Sequence, residues 1–460
     1  MPLPDCFAPP AAEALPLIAV DPARFPAWRA AQPSFVQAWL DAHGYRGDPG
    51  TALTLPGPDG RPGGAVFGVA DPQDPMAVGA LPALLPPLAY RLVPDAPVAV
   101  PADRALLGWG LGAYRFTRYL KTSRPVARLA VDAAAHPEAV ALLAASVEVR
   151  DLVNTPTEHL GPDELEAAVR ALGEAHGAEV EAIRGMDLLA RGFPAIHAVG
   201  RASHRAPRLL ALQHGDPSLP HLAIVGKGVC FDTGGLDVKP ADGMRNMKKD
   251  MGGAAHAIAL ARLVLERRLP VRLTLLVPAV ENALGPDAYR PGEVIATRAG
   301  LSVEIDNTDA EGRVILCDAI TYAAEQKPAL LMDFATLTGA ARIALGPDLP
   351  ALFANEDGLA ADYLAAGTAE RDPLWRMPLW RPYLSYLKSP IADLANSGAS
   401  RMAGCVTAAL YLERFVPDGQ PWTHVDVYSW NDADRPGRPA GGEAQGLRAA
   451  WGFLKARFGA

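Results

Sequence analysis

The sequence has few of the features that mark several protein classes. Its 460 residues include only four cysteines, which are Cys6, Cys230, Cys317 and Cys405. They are widely spaced and form no CxxC pair, which argues against a disulfide framework and against a cysteine-ligated zinc ion. No apolar run approaches the ~18 residues that cross a bilayer, and the start of the chain lacks the basic segment of a signal peptide. We therefore predict a cytoplasmic protein with no membrane partner.

Positive charge is also in short supply. The chain has 43 Lys and Arg residues against 51 Asp and Glu residues, which gives a formal net charge of −8. That balance disfavours a general nucleic-acid surface and a polybasic membrane surface, although Arg245, Lys248 and Lys249 form a small basic cluster. Nucleic acid is therefore not an expected partner, whereas a local anion site is compatible with the net charge.

Three motifs of hydrolytic or nucleotide chemistry are missing from the sequence. HExxH, GxSxG and GxxxxGK[ST] do not occur, so a zincin helix, a serine-hydrolase elbow and a P-loop are not predicted. Gly108, Gly110 and Gly112 superficially resemble a nucleotide loop, but their spacing is not GxGxxG. Close helix packing is the better interpretation of these three glycines.

The order of the predicted elements indicates an α/β protein. The length suits two or three domains, and strands alternate with helices after Gly161, which implies a largely parallel or mixed sheet covered by helices. The predicted helices span 103–120, 133–156, 162–176, 253–268, 311–325 and 443–458. The predicted strands span 209–212, 221–226, 271–277, 302–306, 329–335 and 422–428.

One candidate site lies in the segment 225–253, which follows a predicted strand and precedes a predicted helix. Its charged side chains include Lys227, Asp232, Lys239 and Asp250 within a glycine-rich frame. The simplest interpretation is a flexible surface loop in which Asp250 caps the next helix. However, the segment has roughly thirty residues without an obvious helix or strand, and loops of that length are usually functional or disordered. Its apolar residues do not suit disorder.

A second candidate site begins at Asp306. Thr308 and Glu311 fit a capping box at the start of a helix, which is the structural interpretation. Asp309 and Glu311 also concentrate negative charge, and mutual repulsion resists such crowding unless a cation joins the carboxylates. Arg313 opposes the dipole of the same helix, so it either binds an anion together with the helix terminus or pairs with a neighbouring acid in solvent.

Together the two segments supply four carboxylates and two lysines. Carboxylates without a set of histidines suit hard or borderline divalent ions, including a pair bridged by shared oxygens. The residues alone therefore predict a two-metal hydrolase or a phosphoryl-handling site, and they do not decide between these two. The carboxylates are Asp232, Asp250, Asp309 and Glu311, and the lysines are Lys227 and Lys239.

Longer motifs carry a family resemblance. The segment 307–313 reads NTDAEGR, which resembles the signature of the leucyl (cytosol) aminopeptidase family. The resemblance extends over roughly residues 130–460, with its motifs in the family's order. These motifs are RDLVNTP at 150–156, VGKGVCFDTGGLDVKP at 225–240, KKDMGGAA at 248–255 and DFATLTGA at 333–340.

The resemblance implies two divalent metal ions per subunit, Mn²⁺ or Zn²⁺, and a peptide substrate. Asp232 and Glu311 match carboxylates that bridge the two ions in the family. Lys227 and Asp250 match ligands of the tighter site, and Asp309 matches a ligand of the exchangeable site. A lysine ligand must be neutral, so its pKa has to be strongly depressed by the adjacent cations.

The resemblance also implies a mechanism in which a metal-activated water attacks the first peptide bond. Lys239 matches the catalytic lysine that stabilises the oxyanion, and Asp250 matches a residue that binds the free α-amine of the peptide. Arg313 matches the catalytic arginine, which holds a bicarbonate as general base. Backbone groups near Leu337 and Gly339 assist this arginine in the family.

The pocket for the substrate side chain departs from the family pattern. Met247 and Thr336 match ordinary pocket positions. The family's last strand commonly reads HLDIAG, whereas 424–430 reads HVDVYSW, which puts Tyr428 at the place of a small residue. Tyr428 either lines the pocket, which puts a preference for leucine in doubt, or packs in the core.

The resemblance implies three parts of the chain and an assembly. We expect a smaller N-terminal α/β domain at 1–127, a linker helix at 128–147 and a catalytic domain at 148–460 with a mixed, mostly parallel central sheet covered by helices. A homohexamer is also expected. Two other roles stay open, namely DNA binding by a family member that acts as a regulator and a catalytically silent homologue; the presence of all seven matched functional residues argues against the latter.

Overall fold

The computed structural model describes residues 5–121, 125–398 and 400–459. The described residues form two compact units. The first unit comprises the chain up to Val147 together with Asn431–Gly441, and the second comprises Glu148–Trp430 with the residues from Gly442 onward. None of the helices in this part of the chain has the length and apolar character that spanning a membrane requires.

The first unit is built on a six-stranded sheet. Its strand order is β1-β6-β5-β2-β4-β3, and only the β3–β4 pair is antiparallel. The strands are β1 (Phe7–Ala8), β2 (Leu15–Val20), β3 (Ala52–Pro56), β4 (Pro62–Gly68), β5 (Ala89–Leu92) and β6 (Arg128–Ala130). The helices are α1 (Phe25–Ala30), α2 (Ser34–Ala42), α3 (Leu81–Leu84) and α4 (Ala102–Ala113).

Helix α4 confirms the interpretation of its glycines. A Cβ atom on Gly108 would lie 1.7 Å from the carbonyl oxygen of Pro75, and one on Gly112 would lie 1.8 Å from that of Gly79. No side chain fits at either position, so these glycines allow the helix to pack directly on neighbouring backbone. The helix ends at Ala113 rather than at the predicted residue 120.

Helix α5 (Pro137–Asn154) begins in the first unit and ends in the second. The structure therefore differs from the predicted linker helix at 128–147, because β6 and a 3₁₀ turn at Ala133–Ala135 come first. The boundaries of the three predicted domains stay a prediction. Residues 1–4 and 122–124 of the predicted first domain lie outside the described residues.

The second unit is built on a nine-stranded mixed sheet, in which parallel pairs outnumber antiparallel ones. The order is β16-β15-β18-β14-β9-β11-β8-β7, and β10 pairs with β11. These strands are β7 (Glu179–Arg184), β8 (Arg208–His214), β9 (His221–Gly226), β10 (Gly228–Asp232), β11 (Arg272–Asn282), β14 (Leu330–Ala335), β15 (Ala351–Ala354), β16 (Trp375–Arg376) and β18 (Trp422–Asp426). Short strands outside it are β12 (Val294–Ala296), β13 (Ser302–Glu304), β17 (Leu394–Ala395), β19 (Trp430–Asn431) and β20 (Gly441–Gly442).

Helices cover both faces of the central sheet. Helix α11 shares a hydrophobic cluster with Ala223, Val225 and Leu331. Helix α10 lies on the opposite face, where the ring of His256 stacks on Phe334 at 6.1 Å. The helices of this unit are α6 (Pro162–His176), α7 (Asp187–Ala190), α8 (Pro194–Gly200), α9 (Ala241–Met244), α10 (Gly252–Glu266), α11 (Glu311–Glu325), α12 (Gly339–Leu345), α13 (Asp357–Ala369), α14 (Gly404–Glu413) and α15 (Leu447–Phe458).

The predicted fold class is confirmed, since both units are α/β and the larger sheet is mostly parallel and covered by helices. The segment 225–253 was wrongly predicted to lack regular structure. Gly228–Asp232 forms β10, which pairs in parallel with β11, and Met247–Met251 forms a 3₁₀ turn. Strand β10 was not predicted because it is stabilised by pairing with β11, which is distant in the sequence, and not by the local propensity of its residues.

Candidate active site

The site lies where parallel strands of the central sheet end. Strand β14 runs parallel to both β9 and β18, so the carboxyl ends of all three meet at one edge. Lys227 directly follows β9, Thr336 directly follows β14, and Tyr428 follows β18 by two residues. This edge is the usual position of binding sites in open α/β sheets.

Lys227 forms the first ionic centre. Its ammonium group lies 2.8 Å from Oδ2 of Asp250 and 2.8 Å from Oε1 of Glu311, and it donates to the carbonyl oxygen of Thr336 at 3.1 Å. Only 2% of Lys227 is exposed. A Cβ atom on Gly312 would lie 2.6 Å from the Lys227 nitrogen, so a glycine after Glu311 makes room for this lysine.

Lys239 forms the second ionic centre. Its ammonium group lies 2.8 Å from Oδ2 of Asp232 and is also paired with Oδ1 of Asp309. The Lys239 side chain is 16% exposed, against 3% for that of Lys227. The structure therefore brings together all six charged residues predicted from the two sequence segments, and Lys239 is the more accessible of the two lysines.

Asn282, at the end of β11, is a site residue that the sequence reading missed. Its amide nitrogen donates to Oδ1 of Asp232 at 2.8 Å and to the carbonyl oxygen of Thr308 at 3.0 Å. It thereby ties the strand that carries one candidate ligand to the approach of helix α11. The only sequence signal is a buried strand that ends in a polar residue.

The predicted capping box at Thr308 and Glu311 is wrong. The N-cap of α11 is Ala310, which provides no side-chain hydrogen bond. The Thr308 hydroxyl group instead donates to the carbonyl oxygen of Gly234 at 2.6 Å. Gly234 and Gly235 have φ values of +87° and +64°, a backbone region in which glycine is favoured. Thr308 thus contacts a distant segment of the chain and does not cap its own helix.

Asp250 does not cap the following helix either. The N-cap of α10 is Met251, and the Asp250 carboxylate accepts a hydrogen bond from the Thr336 hydroxyl group at 2.8 Å. Asp250 is 3% exposed. The surface-loop interpretation of this segment is therefore wrong at its most charged positions.

The carboxylates of the site have unusual ionisation. Burial, together with the charge of Asp232, raises the pKa of Asp309 to about 6 and raises the pKa of Glu311 well above its ordinary value. Burial lowers the pKa of the Lys227 amine, but Asp250, Glu311 and Asp232 outweigh burial and raise it. The four carboxyl groups of the site thus outnumber its two lysine ammonium groups.

The donor set fits divalent cations. Asp232, Asp309 and Glu311 each offer a carboxylate oxygen, and these oxygens lie within 4.8 Å of one another. Oε2 of Glu311 is buried and has no hydrogen-bond partner among the described residues. A buried, partnerless carboxylate oxygen costs free energy unless a cation satisfies it. These residues are therefore suitable ligands for a metal pair.

Arg313 is buried rather than paired with an acid in solvent. It is 9% exposed, and its guanidinium group donates to the carbonyl oxygen of Asn396 at 2.9 Å. Its Nε is buried without a hydrogen-bond partner, and no ion pair to it is formed within the described part of the chain. Burial lowers the pKa of this guanidinium group. An unpaired buried cation suits an anion ligand.

A cavity of about 460 Å³ opens beside both ionic centres. Its size is within the usual range for small-ligand sites. The backbone N–H of Leu337 donates to Oδ1 of Asp426 at 3.0 Å, so that group already has an acceptor. The predicted pocket residues all line the cavity, and they are Met247, Thr336, Leu337, Gly339 and Tyr428.

Tyr428 lines this cavity and is half-buried, so it is not a core residue. Two cations lie over its ring, with Lys249 Nζ at 4.9 Å and Arg342 Cζ at 4.6 Å from the ring centroid. The sequence alone did not single out Arg342, and it assigned Lys249 only to a small basic cluster with Arg245 and Lys248. Lys249 is in fact buried, so it is not part of an exposed basic patch.

Comparison with known proteins agrees with this arrangement. The family described as "Cytosol aminopeptidase family, catalytic domain" matches residues 148–450, and "M17 aminopeptidase, N-terminal domain" matches residues 15–132. A probable cytosol aminopeptidase of Syntrophotalea carbinolica is 41% identical over 377 residues, which cover 77% of this chain and 76% of that protein.

Solved structures give the same result. The crystal structure of cytosol aminopeptidase from Coxiella burnetii has a TM-score of 0.95 and 48% identity, and the match covers 99% of this chain and 100% of that chain. The bottromycin maturation enzyme BotP in complex with Mn has a TM-score of 0.87 and 32% identity, over 97% of this chain and 100% of that chain. The chain therefore belongs to the cytosol aminopeptidase family, and it is a hydrolase of the metallo-exopeptidase type.

Proposed function

We propose that this protein releases N-terminal amino acids from peptides at a site that holds two divalent metal ions, Mn²⁺ or Zn²⁺. The observation that supports this most strongly is the convergence of four acidic side chains and two lysines at one sheet edge, where Oε2 of Glu311 is buried and has no hydrogen-bond partner in the described part of the chain. Such a site has room for cations that the chain does not supply.

Five side chains would hold the metals. When bound, the metal ions supply Lewis acidity and lower the pKa of a water molecule. Lys227 can serve as a ligand only when its amine is neutral, and a neighbouring cation favours that form. The proposed ligands are Lys227, Asp232, Asp250, Asp309 and Glu311.

Lys239 is the proposed oxyanion donor. Its side chain is more exposed than that of Lys227 and lines the cavity. With Asp232 and Asp309 engaged as metal ligands, the Lys239 ammonium group would lose two competing acceptors and would be able to donate to the carbonyl oxygen of the first peptide bond. A fixed charged donor at that position stabilises negative charge in the transition state.

Asp250 and Arg313 have separate proposed roles. The Asp250 carboxylate is held by the Thr336 hydroxyl group and would accept a hydrogen bond from the free α-amine of the peptide, which limits cleavage to the first residue. Arg313 would hold bicarbonate as the general base, because it lines the cavity and its buried Nε has no hydrogen-bond partner among the described residues. Leu337 and Gly339, whose backbone groups would assist Arg313, line the same cavity.

Three further expectations rest on the family resemblance. We propose a homohexamer, a cytoplasmic location, and a division of the chain into a first domain at 1–127, a linker at 128–147 that is helical from Pro137 onward, and a catalytic domain at 148–460. Sedimentation of the intact chain at several concentrations tests the first of these. A mass near that of one 48.5 kDa chain would contradict the hexamer.

An activity screen tests the proposed function. Protein loaded with Mn²⁺ or Zn²⁺ is offered a panel of aminoacyl amides and their N-acetylated twins. We expect hydrolysis of amides with a free amine and none of the acetylated twins, because Asp250 requires the amine. Equal hydrolysis of both members of each pair, or of neither, would contradict the proposal.

A further inference from the structure

The cavity contains a second set of charged groups, which is separate from the proposed metal ligands. Lys249 and Arg342 both line it, and both lie over the ring of Tyr428. Lys249 is 6% exposed and belongs to the 3₁₀ turn Met247–Met251. Met247, from the same turn, lines the same cavity. These groups surround the place where the side chain of a substrate's first residue is proposed to bind.

Among the residues that the structure describes, neither of these cations has an acidic partner. No ion pair to Lys249 or to Arg342 occurs within residues 5–121, 125–398 and 400–459. Two acids, Asp250 and Asp426, act electrostatically on Lys249, and both are engaged by other groups. Asp250 contacts Lys227, while Asp426 accepts hydrogen bonds from the backbone of Leu337 and from the Thr338 hydroxyl group at 2.6 Å.

Burial of a lysine without a counter-ion lowers the stability of the fold, so stability does not account for the position of Lys249. The ring of Tyr428 offsets part of that cost through a cation–π contact. The contact also holds the long lysine and arginine side chains at the cavity wall, where a ligand can reach them. A carboxylate is the ligand group that satisfies both a guanidinium and an ammonium ion.

We propose that Lys249 and Arg342 select peptides whose first residue is acidic, Glu or Asp, by pairing with its side-chain carboxylate. This inference rests on the proposed function and deepens it, because it assigns the substrate class of the same site. The ring of Tyr428 supports the side chains of Lys249 and Arg342 and narrows the pocket. Met247 forms an apolar wall that contacts the aliphatic part of the substrate's side chain.

The most direct test compares glutamyl and glutaminyl 4-nitroanilides with the metal-loaded protein. The two substrates have nearly the same shape and differ in side-chain charge, and neither has a C-terminal carboxylate. We expect kcat/KM to be about tenfold or more higher for the glutamyl substrate, mainly through KM, as is typical of hydrogen bonds between charged groups. Equal values for both substrates, or a preference for leucyl 4-nitroanilide, would overturn the inference.

Charge-removing variants sharpen the test. Lys249→Met and Arg342→Met retain much of the apolar stem of each side chain. We expect both to lose the discrimination between glutamyl and glutaminyl substrates while they still cleave leucyl 4-nitroanilide. Lys248→Met is the matched control, because Lys248 donates to the carbonyl oxygen of Asn154 and does not line the cavity. A control variant that loses discrimination equally would also overturn the inference.

The failure of this inference differs from the failure of the proposed function. Cleavage of leucyl and glutaminyl substrates without a glutamyl preference leaves the aminopeptidase proposal intact and removes only the acidic specificity. Absence of cleavage of every substrate contradicts the proposed function. Binding of free glutamate against free glutamine, measured by calorimetry, gives a second readout that needs no turnover, and equal affinities would also overturn the inference.

Discussion

The second unit contains two clusters of buried charge with opposite balances. In the first, which we call the Glu166 cluster, one carboxylate accepts hydrogen bonds from three arginines. Arg170 and Arg208 each donate to it at 2.7 Å, and Arg184 donates through Nε at 2.8 Å. Burial opposes ionisation there, but the three guanidinium groups outweigh it and lower the pKa of Glu166 to about 2.

The second cluster is the candidate active site. Four carboxylates share two lysines, and the pKa values of Asp309 and Glu311 are raised, chiefly by burial and by the charge of Asp232. The comparison shows how buried charge can be classified. A cluster whose cations satisfy its acid is explained by the fold, whereas a buried cluster with excess acid and shifted pKa values is a candidate binding site for cations.

The largest expected effect on turnover is that of replacing Lys239 or Arg313, which are not among the proposed metal ligands. We expect Lys239→Ala and Arg313→Ala each to lower kcat by about 100-fold or more, the magnitude typical for loss of one positioned oxyanion donor. Thermal unfolding should change little by comparison. Steady-state kinetics and a melting curve on the same samples check both parts, and unchanged kcat in both variants would contradict the mechanism.

The Glu166 cluster should show the reverse behaviour. Glu166→Gln removes the buried counter-ion of Arg208, which is itself nearly buried and keeps an ion pair with the largely exposed Asp163, so we expect a loss of about 1–3 kcal/mol in the free energy of unfolding. Turnover should stay within about twofold, since the cluster does not touch the cavity. Urea unfolding measures the loss.

The control for that variant is Glu181→Gln. Glu181 pairs with Arg191, and both side chains are 51% exposed. Exposed pairs contribute little, so a change within about 0.5 kcal/mol is expected. An equal loss of unfolding free energy in Glu166→Gln and Glu181→Gln would contradict the distinction between a satisfied buried cluster and an ordinary surface pair.

A smaller effect concerns acid stability. Because the folded-state pKa of Glu166 lies at about 2, below its ordinary value of 4.5, its contribution is fully present above pH ~4.5 and disappears as the pH falls towards 2. The difference in unfolding free energy between the wild type and Glu166→Gln should therefore shrink over that window. Urea titrations at a series of pH values measure this difference, and a constant difference would contradict the assigned pKa.

Much of the site was predictable because its side chains lie at the ends of strands and helices that the sequence pattern indicates. Lys227 follows an apolar run, Asp309 lies just before a predicted helix, and Glu311 is the first residue of that helix. The acidic crowding at α11 predicted a cation before any family resemblance was considered. The long motifs around these residues then distinguished a peptidase from a phosphoryl-handling enzyme.

Other features depend on contacts that sequence spacing does not encode. The Thr308 hydroxyl group binds Gly234 instead of capping its own helix, and Asn282 reaches Asp232 across β10 and β11. Local propensity carries no information on such pairings. Arg342 lies near Tyr428 only because α12 follows β14 and Tyr428 follows the neighbouring β18.

The central claim is that the acid-rich cluster holds two divalent ions and that activity depends on them. The most direct test measures metal content per chain, by elemental analysis, and hydrolysis of an aminoacyl amide in the same samples during chelation and reloading with Mn²⁺ or Zn²⁺. We predict that activity disappears on chelation and returns as about two ions per chain are restored. Full activity in chelated protein that retains no metal would contradict the account.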